Sequence, residues 1–321
     1  MKENQERIIN KLIKEHKNLG ISIAFIKNYK IEKILSNNLP KKTLIFQGAS
    51  ISKILTSLCV MKLVEKKKLE LNKNVNNYLK NWKVKDKKGQ KEKITIKQLL
   101  SHTAGINCPG FVGYNQNKKI PSLIHILEGK KPSNNEPIYC VYKKGKFRYS
   151  GGGYEIIQKI IEDRTNNSYE KVIRKYVFKS LKMKNSSFSK PKKFVQGHER
   201  NKQVNKGCFI YPEKAAAGLW TTSEDLAKLL IEIQLSYIGK SNKVLSKKLV
   251  RTMLKIITPA EGNFMSLGFF VSKDKKKFYH TGHNVGYRGK FSVDFKGNGI
   301  VILTNNGEGN IFIDKFLRKL K

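Results

Sequence analysis

The sequence is short of cysteine and arginine and has no long apolar run, and each shortage removes a class of protein. The four cysteines, Cys59, Cys108, Cys140 and Cys208, form no Cys-x-x-Cys pair and no Cys/His ligand spacing. Neither a disulfide framework nor a metal site is therefore expected. There is also no His-Glu-x-x-His, no phosphate-binding glycine loop and no Gly-x-Ser-x-Gly elbow, so no metal or cofactor is expected. No apolar run reaches the ~18–20 residues of a membrane span. Residues 1–17 carry charges throughout, a helix pattern rather than the uninterrupted apolar core of a signal peptide. The expectation is a cytoplasmic protein, with a secreted mature form still compatible.

Acidic residues are scarce as well: 24 against 65 lysines and arginines, for a net charge of +41. Arginine supplies only eight of the 65. Lysine is a solvated point charge, whereas arginine is the planar reader of phosphates and bases, so specific nucleic-acid recognition is not expected. The lysines are spread along the whole chain. They read as a solvated basic coat, with non-specific contact to anionic polymers as the partner this charge allows.

What is present is a globular chain of 321 residues with 39% hydrophobic residues. That is enough for one large domain or two interlocked ones. The central text is Gln47-Gly48-Ala49-Ser50-Ile51-Ser52-Lys53, followed by residues 54–64, which are apolar on nearly every side. Such a helix runs through the middle of a domain, and Cys59 on it reads as a small core hydrophobe. Ser50 at its start and Lys53 one turn in share a face. Free N–H groups and the positive end of the dipole lie beside Ser50. Two readings of Ser50 stand at this point: a helix N-cap, or a nucleophile whose attack creates an oxyanion. Spacing alone does not choose, because Ser-x-x-Lys recurs at Ser168–Lys171, Ser187–Lys190, Ser189–Lys192 and Ser272–Lys275.

In chain order, residues 3–17 read as a helix with Ile8, Ile9, Leu12 and Ile13 on one side. Residues 21–26, 31–35 and 42–46 read as strands, the last feeding Ser50. Thr95 and Gln98 form a capping box, and Gly105 closes the helix that follows. His102, in its last turn, reads as a structural cation or donor at the helix end. Gly151-Gly152-Gly153 imply a close backbone approach at the start of a helix, with Tyr149 at its entry; taken alone, Tyr149 reads as a buried aromatic with one hydrogen bond. Residues 169–178 read as a helix capped by Ser168. Thr222 and Asp225 resemble a further helix start. Residues 267–272, 278–281, 290–295 and 299–304 read as strands and 311–320 as a closing helix. The fold class is α/β (α+β): one antiparallel sheet built from both termini, flanked by the end helices, with a mostly helical lobe beside it. Residues 1–54 and 211–321 are assigned to the sheet domain and 55–210 to the lobe, with the active site between them.

Ser50-Ile51-Ser52-Lys53, Tyr149-Ser150-Gly151 and His280-Thr281-Gly282 occur in that order. Together they resemble the serine beta-lactamase and penicillin-binding-protein superfamily, most closely its class C beta-lactamase, D-alanyl-D-alanine peptidase and esterase branch. The likeness spans residues 20–305. It implies a beta-lactamase/transpeptidase-like fold and a serine hydrolase working through an acyl-enzyme. Ser50 would attack a carbonyl, Lys53 would take its proton, and Tyr149 would pass it to the leaving group and later activate water. His280, where relatives carry Lys, would orient a substrate carboxylate or shuttle a proton. Thr281 and Gly282 would line the substrate strand, with Gly282 keeping its edge open. The backbone N–H groups of Ser50 and His283 would form the oxyanion hole. The family's middle motif is Tyr-x-Asn, whose amide holds the substrate amide; Gly151 has no such group. That departure favours small-molecule esters over efficient beta-lactam hydrolysis, with amides and peptides as further substrates. A D-amino-acid peptidase, a non-catalytic penicillin- or peptide-binding sensor of the same fold, and a lysine-coated polymer binder are the alternatives.

Overall fold

The computed structural model describes residue 7 and residues 11–16, 19–37, 39, 44–200 and 202–320. Its framework is an eight-stranded antiparallel sheet in the order β2-β1-β12-β11-β10-β9-β8-β7. The strands are β1 (Ile21–Lys27), β2 (Lys30–Ser36), β7 (Thr258–Ala260), β8 (Asn263–Met265), β9 (Phe270–Val271), β10 (Lys277–Asn284), β11 (Tyr287–Asp294) and β12 (Gly299–Thr304). The β1–β12 register, from Ile21 opposite Thr304 to Ile26 opposite Gly299, joins the two ends of the chain in one sheet. The strand expected over 267–272 is only the pair Phe270–Val271; Leu267 lies in the core outside it.

β1 is buried on both faces, and the two sets of side chains enter different cores. Ala24 and Ile26 join the large cluster with Phe291, Val293, Val301 and Leu303. Ile21, Ile23 and Phe25 pack on the other side with Leu12, Ile13, Phe312 and Phe316. That is the period-two alternation of a strand between two layers. Residues 11–15 are helical; Ile8 and Ile9 of the expected N-terminal helix lie outside the described residues. The closing helix α9 (Gly309–Lys319) supplies the two phenylalanines.

The short strand β3 (Phe46–Ala49) pairs with β6 (Leu219–Thr221) in a separate two-stranded ribbon. This corrects the strand expected over 42–46: residues 44 and 45 are irregular, and residues 42 and 43 are outside the described set. From β3 the chain enters α1 (Ser52–Glu65), of which eleven of 14 residues are buried, so the helix is enclosed rather than amphipathic. Each of its fully buried Leu, Ile and Met side chains contributes roughly 1.5–3 kcal/mol. Around α1 stand α2 (Ile96–Leu100), α3 (Leu123–Glu128), α4 (Gly151–Thr165), α5 (Tyr169–Ile173) and α6 (Lys214–Ala217). α7 (Ser223–Ile238) and α8 (Lys247–Leu254) lie beside the sheet. The Thr95–Gln98 capping box is present at α2, and Thr222 Oγ1 accepts from Asp225 N–H at the start of α7 (3.1 Å). Ser168 does not cap α5 through its side chain, and the expected helix over 169–178 changes to a wider π turn at Arg174–Phe178. Between β3 and β6 the small strands β4 (His198–Glu199) and β5 (Lys202–Gln203) form a hairpin.

Candidate active site

Three stretches distant in sequence meet at the start of α1. The chain leaves β3 through Ala49, whose φ of +49° is left-handed. A residue with a β-carbon held there stores strain of the order of 1–3 kcal/mol, a feature that clusters at functional sites. Ile51 N–H donates to Gly48 O (3.0 Å) and Lys53 N–H to Ser50 O (3.1 Å), closing a tight turn. Ser50 lies in this turn, and the helix itself starts at Ser52 with no side-chain cap. The N-cap reading of Ser50 is thereby corrected. Ser52 takes the structural work instead, donating to Ala49 O (2.6 Å) and accepting from Leu219 N–H (3.0 Å).

Lys53 is 2% exposed. Its Nζ donates to Ser50 Oγ at 3.0 Å and to Ala216 O at 2.8 Å. It also sits over the rings of Tyr149 (5.0 Å to the centroid) and Tyr154 (5.4 Å). The amine is thus held on three sides, with the hydroxyl on the fourth.

Tyr149 enters α4, and its ring stacks on His102 (4.3 Å, 29° between planes). His102 is not the helix-end cation expected from the sequence. It lies in the turn beyond α2, with φ of +56°, and its Nδ1 accepts Ser150 N–H at 3.0 Å. Burial first, then the Lys53 charge, hold its pKa well below the ordinary imidazole value. A neutral ring that accepts at Nδ1 carries its proton on Nε2. His102 is therefore a flat, uncharged platform that fixes both the ring of Tyr149 and the peptide after it. Sequence reasoning missed this; the only signal was its place just past a capped helix.

The three glycines after Tyr149 do bring backbones close together. Gly151 N–H donates to Pro109 O and Gly152 N–H to Cys108 O, both at 3.0 Å. Gly153 N–H donates to Ser150 Oγ (3.1 Å), which itself donates to Asn107 O (2.7 Å). A β-carbon at Gly152 would stand 3.1 Å from Cys108 Cβ and 3.2 Å from Asn107 O. One at Gly151 would stand 3.0 Å from Phe111 Cε2. An aromatic ring thus borders the place where the family's asparagine would begin.

The third stretch is β10. β9 pairs with only Phe278 and Tyr279, so residues 280–284 pair with β11 alone and leave one margin of the strand open. His280 and Gly282 face the Ser50 turn. Gly282 is required there because a β-carbon would meet Gly48 O at 2.3 Å, so the glycine serves the contact of β10 with β3 as well as the open margin. His280 is buried, 6.4 Å from Tyr149 between ring centroids, and its Nδ1 lies 2.6 Å from Thr281 O. The carbonyl can only accept, so Nδ1 donates and Nε2 keeps its lone pair. Burial, then the Lys53 charge, depress its pKa to about 3. A neutral imidazole cannot act as a cationic anchor for a substrate carboxylate, whereas a proton shuttle remains chemically open to it. Thr281 and His283 alternate to the other face, where their side chains line a cavity of about 450 Å³ with Arg288, Lys290 and Asp314. Their side chains are not gathered around Ser50.

Among the described residues no group of three or more His, Cys, Asp or Glu side chains could hold a metal ion. The four cysteines are free thiols. Among the described residues no helix is long and apolar enough to cross a membrane.

A sheet of this order with an enclosed Ser-x-x-Lys helix at its margin defines the beta-lactamase/transpeptidase class of fold. A family model described as Beta-lactamase matches residues 6–319, and the chain belongs to that family. It is 28% identical over 308 residues to Protein flp of Staphylococcus aureus (strain N315), covering 89% of this chain and 59% of that protein. It is 24% identical over 274 residues to the teichoic acid D-alanine hydrolase of Staphylococcus aureus (strain MRSA252), covering 83% and 62% respectively. The chain spans less than two thirds of the length of these curated relatives. The solved octameric penicillin-binding protein homologue from Pyrococcus abyssi superposes with a TM-score of 0.75 at 25% identity, covering 94% of this chain and 73% of that one.

Proposed function

We propose that the protein is a serine hydrolase that works through an acyl-enzyme on Ser50 and prefers small esters to beta-lactams. The observation that carries this reading is the 3.0 Å contact of the buried Lys53 amine with an uncapped Ser50 hydroxyl. In the reaction, Lys53 in its neutral amine form accepts the Ser50 proton as Oγ adds to the substrate carbonyl. The backbone N–H groups of Ser50 and His283 receive the developing oxyanion, each donor worth ~3 kcal/mol. The Tyr149 hydroxyl hands a proton to the leaving group, and the acyl-enzyme is then hydrolysed by water activated at the same groups. Neutral His280 offers its Nε2 lone pair as a hydrogen-bond acceptor beside Tyr149.

The ester preference rests on Gly151 and Phe111. A substrate amide finds no side-chain amide at position 151, and an aromatic edge borders the vacant place. An ester makes no demand for that hydrogen bond, so it loses less than a peptide or penicillin at the same site. The relative named for teichoic acid D-alanine hydrolysis makes D-alanyl derivatives one arm of the test.

The test is intact-protein mass after an activated ester, alongside turnover of p-nitrophenyl esters, a chromogenic cephalosporin, D-alanyl esters and D-amino-acid peptides. The expected result is one acyl adduct on wild type, none on Ser50→Ala, and faster turnover of esters than of the cephalosporin. A folded wild type that takes up no adduct overturns the hydrolase reading. Faster turnover of the cephalosporin or the peptides overturns the ester preference.

A further inference from the structure

Lys53 is held in place by a helix too short to hold itself. α6 has four residues, far below the length at which a helix is stable alone, and its polar groups are tied from outside. Gln158 Oε1 accepts Ala215 N–H (3.1 Å), Thr56 Oγ1 donates to Ala215 O (2.9 Å) and Asn284 Nδ2 donates to Ala217 O (3.1 Å). Glu155 Oε1 accepts Ala216 N–H at 3.1 Å. Ala216 is the residue whose carbonyl holds Lys53 Nζ. Among these anchors, Glu155 alone grips the residue that grips the amine.

The position is a poor choice for stability. Glu155 is fully buried on α4 among Ile156, Ile157, Ile160 and Ile161. Its Oε2 has no hydrogen-bond partner among the described residues. Unsatisfied buried oxygens of this kind each cost about 1–3 kcal/mol, and an apolar residue of similar volume is usually no worse for the fold. A carboxyl retained at that cost, one peptide away from the Lys53 contact, points to the site rather than to the core.

We propose that Glu155 is a positioning residue for the reaction: through the backbone of Ala216 it fixes the Lys53 amine against Ser50. The proposal rests on the reading of Ser50 and Lys53 as the reacting pair. A loss of register at the amine slows proton removal from Ser50 without weakening substrate binding, because Glu155 touches no substrate.

The test measures the acylation rate of Ser50 by an activated ester as a function of ester concentration, giving a limiting rate and a half-saturating concentration. Glu155→Met keeps the volume and removes the acceptor; Glu155→Gln keeps an acceptor for Ala216 N–H. Gln158→Met removes the neighbouring anchor at Ala215. The expected result is a limiting rate roughly 10- to 100-fold lower for Glu155→Met, with half-saturation unchanged. Glu155→Gln and Gln158→Met stay within about threefold of wild type on the same scale. Wild-type rates in Glu155→Met overturn the proposal. So does an equal loss in Glu155→Gln, which would assign the effect to charge. An equal loss in Gln158→Met also overturns it, since general anchoring of α6 would then suffice. If thermal melting shows Glu155→Met unfolded, Glu155→Asp, which withdraws the carboxyl by one methylene, takes its place under the same criteria. A wild type that takes up no acyl group overturns the hydrolase reading and this proposal together; an acylated wild type matched by Glu155→Met overturns this proposal alone.

Discussion

The starts of α1 and α4 meet at the same place and are built in opposite ways. α1 begins after a strained alanine, and the hydroxyl of Ser50 just before it caps nothing and is bonded to an amine. α4 begins with three glycines, and its first N–H groups are taken up by loop carbonyls and by Ser150. The first arrangement sets a hydroxyl against an amine at an energetic cost. The second ties the N–H groups of all three glycines, and Tyr149 rests on His102. On the proposed mechanism, reactivity and rigidity are divided between two helix ends rather than combined in one.

The sharpest way to break this contrast is Lys53→Met. Acylation of Ser50 is expected to fall by roughly 10²- to 10⁴-fold. The melting temperature should hold or rise, because a thioether suits the apolar surroundings better than an ammonium. Acylation within tenfold of wild type would show that the start of α1 is not the reactive end.

The second test concerns the buried acids on the α4 side. Burial pushes the Glu213 carboxyl up from 4.5 to about 8. A raised folded-state value means stability fully present below pH ~4.5 and lost as pH rises toward ~8. Glu213→Gln should therefore match wild type near pH 4.5 and exceed it near pH 8, by an amount on the order of a few kcal/mol. His102 and His280 act with the opposite sign, since their depressed values cost stability as pH falls below 6.5. That limb is common to both proteins and cancels in the difference. Urea unfolding at the two pH values decides the matter; an equal difference at both would refute the assignment.

The smallest effects sharpen the role of the glycines. Gly152→Ala forces a β-carbon against Cys108 and Asn107 and should cost about 1–3 kcal/mol. Gly153→Ala meets nothing closer than 3.5 Å and should gain about 0.5–1 kcal/mol from helix propensity. Thermal melts of the two variants moving in the same direction would remove the close-approach account of this turn.

Much of this was legible in the sequence because it is written in period and in order. The all-round apolar text after Lys53 made α1 an internal helix, and alternation in residues 278–304 made three strands, the last of which pairs with β1. The ordered triplets brought Ser50, Lys53, Tyr149 and His280 to notice. The rest depends on contacts between distant backbones, which leave no local pattern. Ser52 and Ser50 are equivalent as letters; only the approach of Leu219 decides which one is structural. His102 read as a structural cation or donor at a helix end because its burial beneath Tyr149 is invisible until α2 and α4 are packed. Ala216 could be read as small, but not as a carbonyl aimed at an amine. Phe111 carried no signal of its own, since its meaning comes from the missing side chain forty residues later.

The pairing of β1 with β12 also governs how the molecule can be made. Ile21 lies opposite Thr304, so the middle of the sheet closes only after residue 304 has emerged. Until then β1 and β2 are a lone hairpin, which is marginal in water, and their apolar faces stay uncovered. Contacts this distant along the chain form slowly and leave unpaired edges exposed meanwhile. A surface crowded with like charges keeps such half-finished chains apart while they wait for their last strand.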